Sequence, residues 1–427
     1  MKTIGAQASP FRGTIGTPLL YAAGAVALGM GLPRLEAAFL PDLTAPIGVG
    51  PAIAVLTAIA SGMLPLTGLV FSLAFVMVQF SATAYSPRLV TWFAGSAMMS
   101  HSLGIFTATF LYAVAALAWV DRGGTGKVPF LTIWCAIVLL AVSVVFFVLL
   151  VEKLSMLQIS RVLGYAGDRG REVIERDYAP LGVGGPETGG TADELPAERQ
   201  VVVHCGGPAA IQKIDVPGLV ALAEREGAVI RMAWAVGDTV FEGMPLVSVH
   251  GEGRPIAEDR LRRLVRLGPE RTFEQDPKYA LRILVDIAIK ALSPAINDPT
   301  TAVQALDQVE DLLLRLGRVK LAAGRVRDGR GSLRLVFPVP RWEDFLILAL
   351  DEIRYCGANS IQVMRRMRAL LQDLMAHVPA ERRAALQRYL TRVDNGIRRT
   401  FDDGDDRKDA LEVDRQGLGL SRERREA

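Results

Sequence analysis

Cysteine is scarce in this chain: three residues in 427, Cys135, Cys205 and Cys356, odd in number and far apart. That excludes a disulfide framework and a clustered thiolate metal site. Charge is scarce too, but only in one half. From Thr14 to Val151 Asp, Glu, Lys and Arg are few, whereas from Glu152 onward they are dense. A net charge of +3 gives nucleic acid no broad footing, and the Arg-rich stretch Glu381 to Arg399 reads as a solvated helix face. There is no P-loop, no HExxH, no G-x-S-x-G and no paired cysteine motif, so no catalytic residue, cofactor or metal is expected.

What is present is a chain built for two solvents. A helix needs about twenty mostly apolar residues to cross the hydrocarbon core of a bilayer. Four stretches meet that length: 14–32, stopped by Pro33-Arg34; 51–80; 98–120; and 130–151, ended by Glu152-Lys153. The first, preceded by Lys2 and Arg12, also has the look of a cleavable signal peptide. Its length and the three firmer spans behind it favour a retained helix. Lys2 and Arg12, Arg88 between the second and third spans, and Lys153, Arg161, Arg169 and Arg171 after the fourth place both termini in the cytoplasm. Arg34, Arg122 and Lys127 on the other side blunt that bias. The expected location is a bacterial inner membrane.

The second span is longer than a straight crossing requires and has Pro65 near its middle. Thr57, Ser61, Pro65, Gly68, Ser72, Gln79 and Thr83 follow steps of three, four or seven. At 100° per residue they share a sector of roughly 80°. A shorter stripe, Ser96, Ser100, Gly104 and Thr107, begins the third span. Such stripes let helices pack closely in lipid, and they can also line a hydrated path. The cores of spans two to four carry no Asp, Glu, Lys or Arg. That argues against a proton-relay pump and leaves a pore open.

After a juxtamembrane helix and a Gly/Pro-rich linker (153–199), residues 200–262 read as short strands split by glycine turns. The pattern Gly237-Asp238-x-Val240-x-x-Gly243 resembles half of a biotinyl/lipoyl-type barrel, without the lysine that would carry the prosthetic group. His204, Cys205 and His250 are better read as ordinary residues of that fold than as metal ligands. Residues 263–401 read as helical. Asp286 and Lys290 are spaced as a favourable i,i+4 pair. Ser293-Pro294 breaks the helix, and Asp298-Pro299 starts the next with Asp as N-cap. Asp286, Lys290, Ser293, Asn297, Asp298 and Thr301 are the candidate ligand or interface motif. Asp276, Asp286, Asn297 and Asp298 offer oxygen ligands for a cation in principle. Residues 402–427 are charged, apolar-poor and expected to be disordered.

The run Ala291-Leu-Ser-Pro-Ala-Ile-Asn-Asp-Pro-Thr-Thr-Ala302 resembles the hallmark of a family of uncharacterised bacterial membrane proteins, domain of unknown function 2254. Thr67-Gly-Leu-Val-Phe-Ser72, Ser86-Pro-Arg-Leu89, Gly104 to Tyr112, Arg271-Thr-Phe-Glu-Gln-Asp276 and Asp351-Glu-Ile-Arg-Tyr-Cys-Gly357 look like its other landmarks. The resemblance implies four spans and a cytosolic domain, and no activity. The expected fold is therefore a membrane α-helical bundle of about four transmembrane helices (1–152) plus a cytosolic α+β region with a small β-barrel-like part and a helical part. The expected partners are the lipid bilayer and further copies of the chain, without nucleic acid. An oligomeric pore with a cytosolic regulatory domain and a membrane-anchored scaffold or ligand sensor are the two functional expectations.

Overall fold

The structure, a computed structural model, describes residues 10–80, 97–120, 126–155, 158–178, 195–321 and 324–420. The chain divides into two compact units, Met1–Gln158 and Ile159–Ala427.

The first unit contains four helices long and apolar enough to cross a bilayer: α1 (Pro10–Phe39), α2 (Val49–Phe80), α3 (Ala97–Leu117) and α4 (Phe130–Ser155). Helix α3 packs against each of the other three, and its Phe106, Tyr112, Ala113 and Ala116 are fully buried. The outer surface carries Leu64, Phe71, Phe75, Val138, Val145 and Val148, all exposed, which is the surface hydrocarbon requires. Glycines set the α1–α3 approach. A Cβ on Gly29 would lie 2.8 Å from the Ala115 Cβ, and one on Gly104 would lie 2.9 Å from the Tyr21 ring.

Helix α1 does not stop at Pro33 as expected; it continues to Phe39. Residues past the proline hold the extra turn. The Arg34 guanidinium sits 3.9 Å over the Trp119 ring, and Glu36 reaches the start of α4. A mid-helix proline forfeits one backbone hydrogen bond, and these contacts offset that loss.

The second unit opens with α5 (Ile159–Asp177), whose buried face is Val162, Leu163, Ala166, Gly167, Gly170, Val173 and Ile174. A mixed α/β region follows: β1 (Glu198–Val203), β2 (Ala209–Ile214), α6 (Val216–Arg225), β3 (Val229–Met232), β4 (Thr239–Val240), β5 (Pro245–His250), α7 (Glu258–Arg263) and β6 (Val265–Gly268). The helical part comprises α8 (Pro277–Ala291), α9 (Pro299–Leu316), α10 (Trp342–Cys356), α11 (Ile361–His377), α12 (Ala380–Thr400) and α13 (Gly404–Ala410), with β7 (Gly324–Arg327) and β8 (Leu333–Phe337) between α9 and α10.

The strands form open sheets, not a barrel: five strands in the order β1-β5-β3-β8-β7 and three in the order β4-β2-β6. The glycine turns are present, with positive φ at Gly237 and Gly243. What prevents closure is a strand from far along the chain. β8 pairs in parallel with β3, Ile230 opposite Leu335, and so occupies the edge that a barrel would need to close. Side chains of both sheets, including Ile211, Ile230, Val240, Val247 and Leu335, share one core.

Residues 403–420 also differ from expectation, and 421–427 lie outside the described residues. Asp403 caps α13 through the backbone N–H groups of Asp405 and Asp406, and Asp414 is buried, accepting from the Gly419 N–H at 2.6 Å. Arg365 donates to the Asp409 carbonyl at 2.5 Å, and Arg415 makes a two-bond fork to Asp373. Low apolar content does not fix disorder when arginines on both sides tie the segment to the neighbouring helix.

Candidate functional site

Two features concentrate the residues singled out by sequence: the α2 stripe in the membrane unit and the α8–α9 turn in the soluble unit.

On α2 the buried positions are Ala52, Leu56, Ile59, Met63 and Val70, the face that meets α3. Thr57, Ser61, Pro65, Gly68, Ser72 and Gln79 are all exposed. At 100° per residue the two sets are centred about 180° apart. The stripe thus lies opposite the face that α2 packs on the described helices, and a Cβ on Gly68 would meet nothing within 4 Å. Thr83, its last member, lies outside the described residues, as does Ser96. Ser61 donates to the Ala58 carbonyl at 3.2 Å, the usual way a hydroxyl is satisfied on a helix in lipid.

The shorter α3 stripe behaves oppositely. Ser100 and Gly104 are buried, and Thr107 is half-buried. Deeper in the bundle Thr109 Oγ1 and Ser143 Oγ lie 2.8 Å apart, joining α3 to α4. His101 meets Tyr21 of α1 through Nδ1 at 3.2 Å. The polar residues of α3 thus form a seam within the bundle, while the α2 stripe lies on the exposed face of its helix.

In the soluble unit α8 ends at Ala291, and Ser293 Oγ donates back to the Lys290 carbonyl at 2.7 Å. Asn297 is in the left-handed region (φ 49°), the only described non-glycine there, and its N–H bonds the Ser293 carbonyl at 2.8 Å. Asn tolerates this conformation better than most residues. Asp298 then caps α9: Oδ1 accepts from the Thr301 N–H at 3.1 Å and Oδ2 from the Thr301 hydroxyl at 2.6 Å. Ser293 and Asn297 are thus joined through the backbone of the turn, and Asp298 and Thr301 through the cap, so the four share one turn.

Asp286 is engaged elsewhere, and Lys290 contributes its carbonyl to the turn. Asp286 is held by Arg282, one turn earlier, at 2.6 Å, and Arg282 also forks onto Glu352 of α10 at 2.6 and 2.9 Å. Hydrogen bonding to Glu352, with Asp286 adding to it against burial, holds the Arg282 guanidinium above its ordinary value. Lys290 is exposed. An i,i+4 spacing exists on both sides of Asp286, and the arginine side is the one that reaches a third group on α10. Arg282 and Glu352 are the partners that the sequence pattern did not single out.

The four-oxygen cation site is also excluded. Asp276 opens α8, and Asn297 and Asp298 follow its far end. Fifteen residues of helix separate them by about 22 Å. Asp276 belongs to a different cluster. Its side chain is 1% exposed, ion-paired to Arg271 at 2.6 Å, and packed where a Cβ on Gly237 would strike it. Burial pushes the Asp276 carboxyl above the usual carboxylate range, with Arg271 and Lys278 opposing. The histidines are engaged by their own surroundings: His204 Nε2 meets the Gly207 carbonyl at 2.8 Å, and His250 meets Ser248 Oγ and the Pro196 carbonyl.

Helix pairing places the turn within the unit. Gly167 lies against Gln308, Gly170 against Leu312, and Arg171 against Asp311, so α5 and α9 run in the same direction. The Ser293–Asp298 turn is therefore at the end of the unit where α5 begins.

The profile of the family described as predicted membrane protein (DUF2254) matches residues 14–373. Uncharacterised proteins of Mycobacterium bovis and Mycobacterium tuberculosis are each similar at 29% identity over 370 residues, which is 84% of this chain and 70% of the relative. Their names state no enzymatic activity. No solved structure matches the chain. The profile spans all four apolar helices, both sheets and the α8–α9 turn, and the chain belongs to the DUF2254 family of membrane proteins.

Proposed function

We propose that the chain is the protomer of an oligomeric membrane pore, in which α2 stripes of neighbouring copies face a shared hydrated path and the soluble unit regulates it. The observation that carries this reading is the direction of the stripe. Thr57, Ser61, Gly68, Ser72 and Gln79 point away from the bundle that buries Leu56, Met63 and Val70. Small and hydroxyl groups gain little from facing lipid tails, whereas they suit a close contact with another helix or a column of water. The absence of charged residues along the stripe fits passive conduction better than proton relay.

The second reading is a membrane-anchored scaffold or sensor in which the same stripe only packs copies together. The open space over Gly68 supports it, since a partner helix could approach closely there. In either case the positive residues flanking the spans support a cytoplasmic soluble unit and a bacterial inner-membrane location. Purified protein in planar bilayers separates the readings. A pore gives unitary conductance that Ser72→Leu abolishes while the oligomer survives. A scaffold gives no conductance, and Ser72→Leu disperses the oligomer.

A further inference from the structure

Three residues separate Ser155, the last of α4, from Ile159, the first of α5. Fully extended, that interval spans at most about 14 Å. The soluble unit is therefore tethered to a membrane span at the end where α5 begins. Side-chain pairing shows which other residues share that end. α9 runs with α5, so α9 starts there and α8 finishes there, with the Ser293–Asp298 turn between them. α10 finishes there too, since a Cβ on Gly357 would lie 3.3 Å from a Leu292 methyl carbon. α11 begins there: Arg366 pairs with Asp307 and Glu310, while Arg318, past the far end of α9, reaches the His377 carbonyl. The C-terminal segment crosses the first two turns of α11, with Gly417 against Gln362 and Gly419 against Arg365.

This end is unlike the rest of the unit. Eight large apolar side chains are exposed among the unit's described residues, and four of them are here: Ile296, Tyr355, Leu418 and Leu420. Tyr355 is 79% exposed and Leu420 67%. Pro294 and Ala295 are exposed beside Ile296, which makes the turn an apolar tip. The far ends of the same helices show the ordinary pattern. Leu316, Val319 and Val378 are buried there, and Arg318 and His377 are exposed. Clustered apolar exposure marks an interaction surface, and a tyrosine among leucine and isoleucine suits the boundary between lipid tails and water. α12 starts at the far end, where Arg382 reaches the Leu316 and Val319 carbonyls, and its Asp394 pairs with Arg368. It therefore finishes near the patch, followed by exposed Asp402 and Asp403 after exposed Arg398 and Arg399. Charges of both signs thus border the patch, and what singles it out is apolar area.

We propose that this end of the soluble unit rests on the bilayer, with the Pro294–Ile296 tip, Tyr355, Leu418 and Leu420 in the interfacial layer. The contact stands whether or not the membrane unit conducts. The test uses full-length protein in phosphatidylcholine nanodiscs, with Cys135, Cys205 and Cys356 replaced. A fluorophore is attached to one new cysteine at a time: Ile296→Cys, Tyr355→Cys, Leu420→Cys, or His377→Cys as the far-end control. Lipid carrying a nitroxide high on its acyl chain quenches a probe in the interface, and iodide quenches a probe in water. The three patch labels are expected to be quenched several-fold more by the nitroxide lipid than the His377→Cys label, and to be shielded from iodide. Adding phosphatidylglycerol is expected to change neither result. Ile296→Asp together with Leu420→Asp is expected to return the Tyr355→Cys label to iodide while the melting temperature stays unchanged. The proposal is overturned if iodide reaches the patch labels as readily as the His377→Cys label, which would leave this end in water. It is overturned too if the labels are shielded from iodide but untouched by the nitroxide lipid, which would mean that protein, such as a second copy, covers the patch. Quenching that requires phosphatidylglycerol would also overturn it, because the contact would then be led by charge.

Discussion

Glu36 of α1 accepts two hydrogen bonds from Thr132 of α4, from its N–H at 3.2 Å and its hydroxyl at 3.1 Å. A third comes from the Leu131 N–H at 2.8 Å. The carboxylate, 3% exposed, thus closes the first turn of a helix that supplies no cap of its own, and its charge suits that helix end. Replacing it leaves two buried donors unsatisfied.

Glu36→Ala is expected to destabilise the membrane unit by about 0.5–2 kcal/mol, the usual cost of a lost cap. Glu36→Gln keeps an acceptor and is expected to fall between Ala and wild type. Thermal unfolding in detergent checks this. An alanine variant that melts with wild type would show that the contact contributes nothing.

Gly170 is where α5 presses onto two helices at once. A Cβ there would lie 2.8 Å from both Leu312 methyl carbons and 2.9 Å from the Ala280 Cβ. Overpacking of this kind costs about 1–3 kcal/mol. Gly170→Ala is expected to lower the midpoint of chemical denaturation, while Gly164→Ala, whose Cβ meets nothing within 4 Å, is expected to leave it unchanged or raise it.

Asp298→Ala removes the acceptor for both Thr301 donors and is expected to cost about 0.5–2 kcal/mol. Asp298→Ser can still cap and should recover most of that loss. In cells the pair of variants separates roles. Function restored with Ser marks the turn as structural, and stability restored without function marks the carboxylate as needed in itself.

The Asp276 carboxyl supplies a pH signature. Burial raises it in the folded state above its ordinary value of 3.8, so folding favours the protonated form. Its contribution to stability is therefore fully present below pH 3.8 and is lost as pH rises through the raised folded-state value. Denaturation midpoints across that window are expected to fall with pH in wild type more steeply than in Asp276→Asn. Equal slopes would remove Asp276 from the account.

Hydropathy and helical periodicity made the membrane helices and the Asp298 cap legible, because both depend on residues close in sequence. The open sheets were not legible. β8 arrives at β3 from a hundred residues away, and nothing in Gly237 to Gly243 reports that arrival. The choice of Arg282 over Lys290 as the partner shown for Asp286 was hidden for a similar reason, since Glu352 of α10 decides it. The stripe on α2 was visible as a periodicity, but a period carries no direction. Only the burial of Leu56, Met63 and Val70 shows that it faces outward.

That outward direction is the centre of the account, and cysteine accessibility tests it most directly. In a background with Cys135, Cys205 and Cys356 replaced, single cysteines at Ser61, Gly68, Ser72 and Gln79 are challenged with a charged, water-soluble thiol reagent during bilayer recording. Cysteines at Leu56 and Met63 serve as controls. The account predicts that the stripe positions react and that modification at Ser72 reduces the current, while Leu56 and Met63 stay unmodified. Stripe cysteines that never react, in an oligomer that still depends on them, would contradict the pore and leave a packing seam.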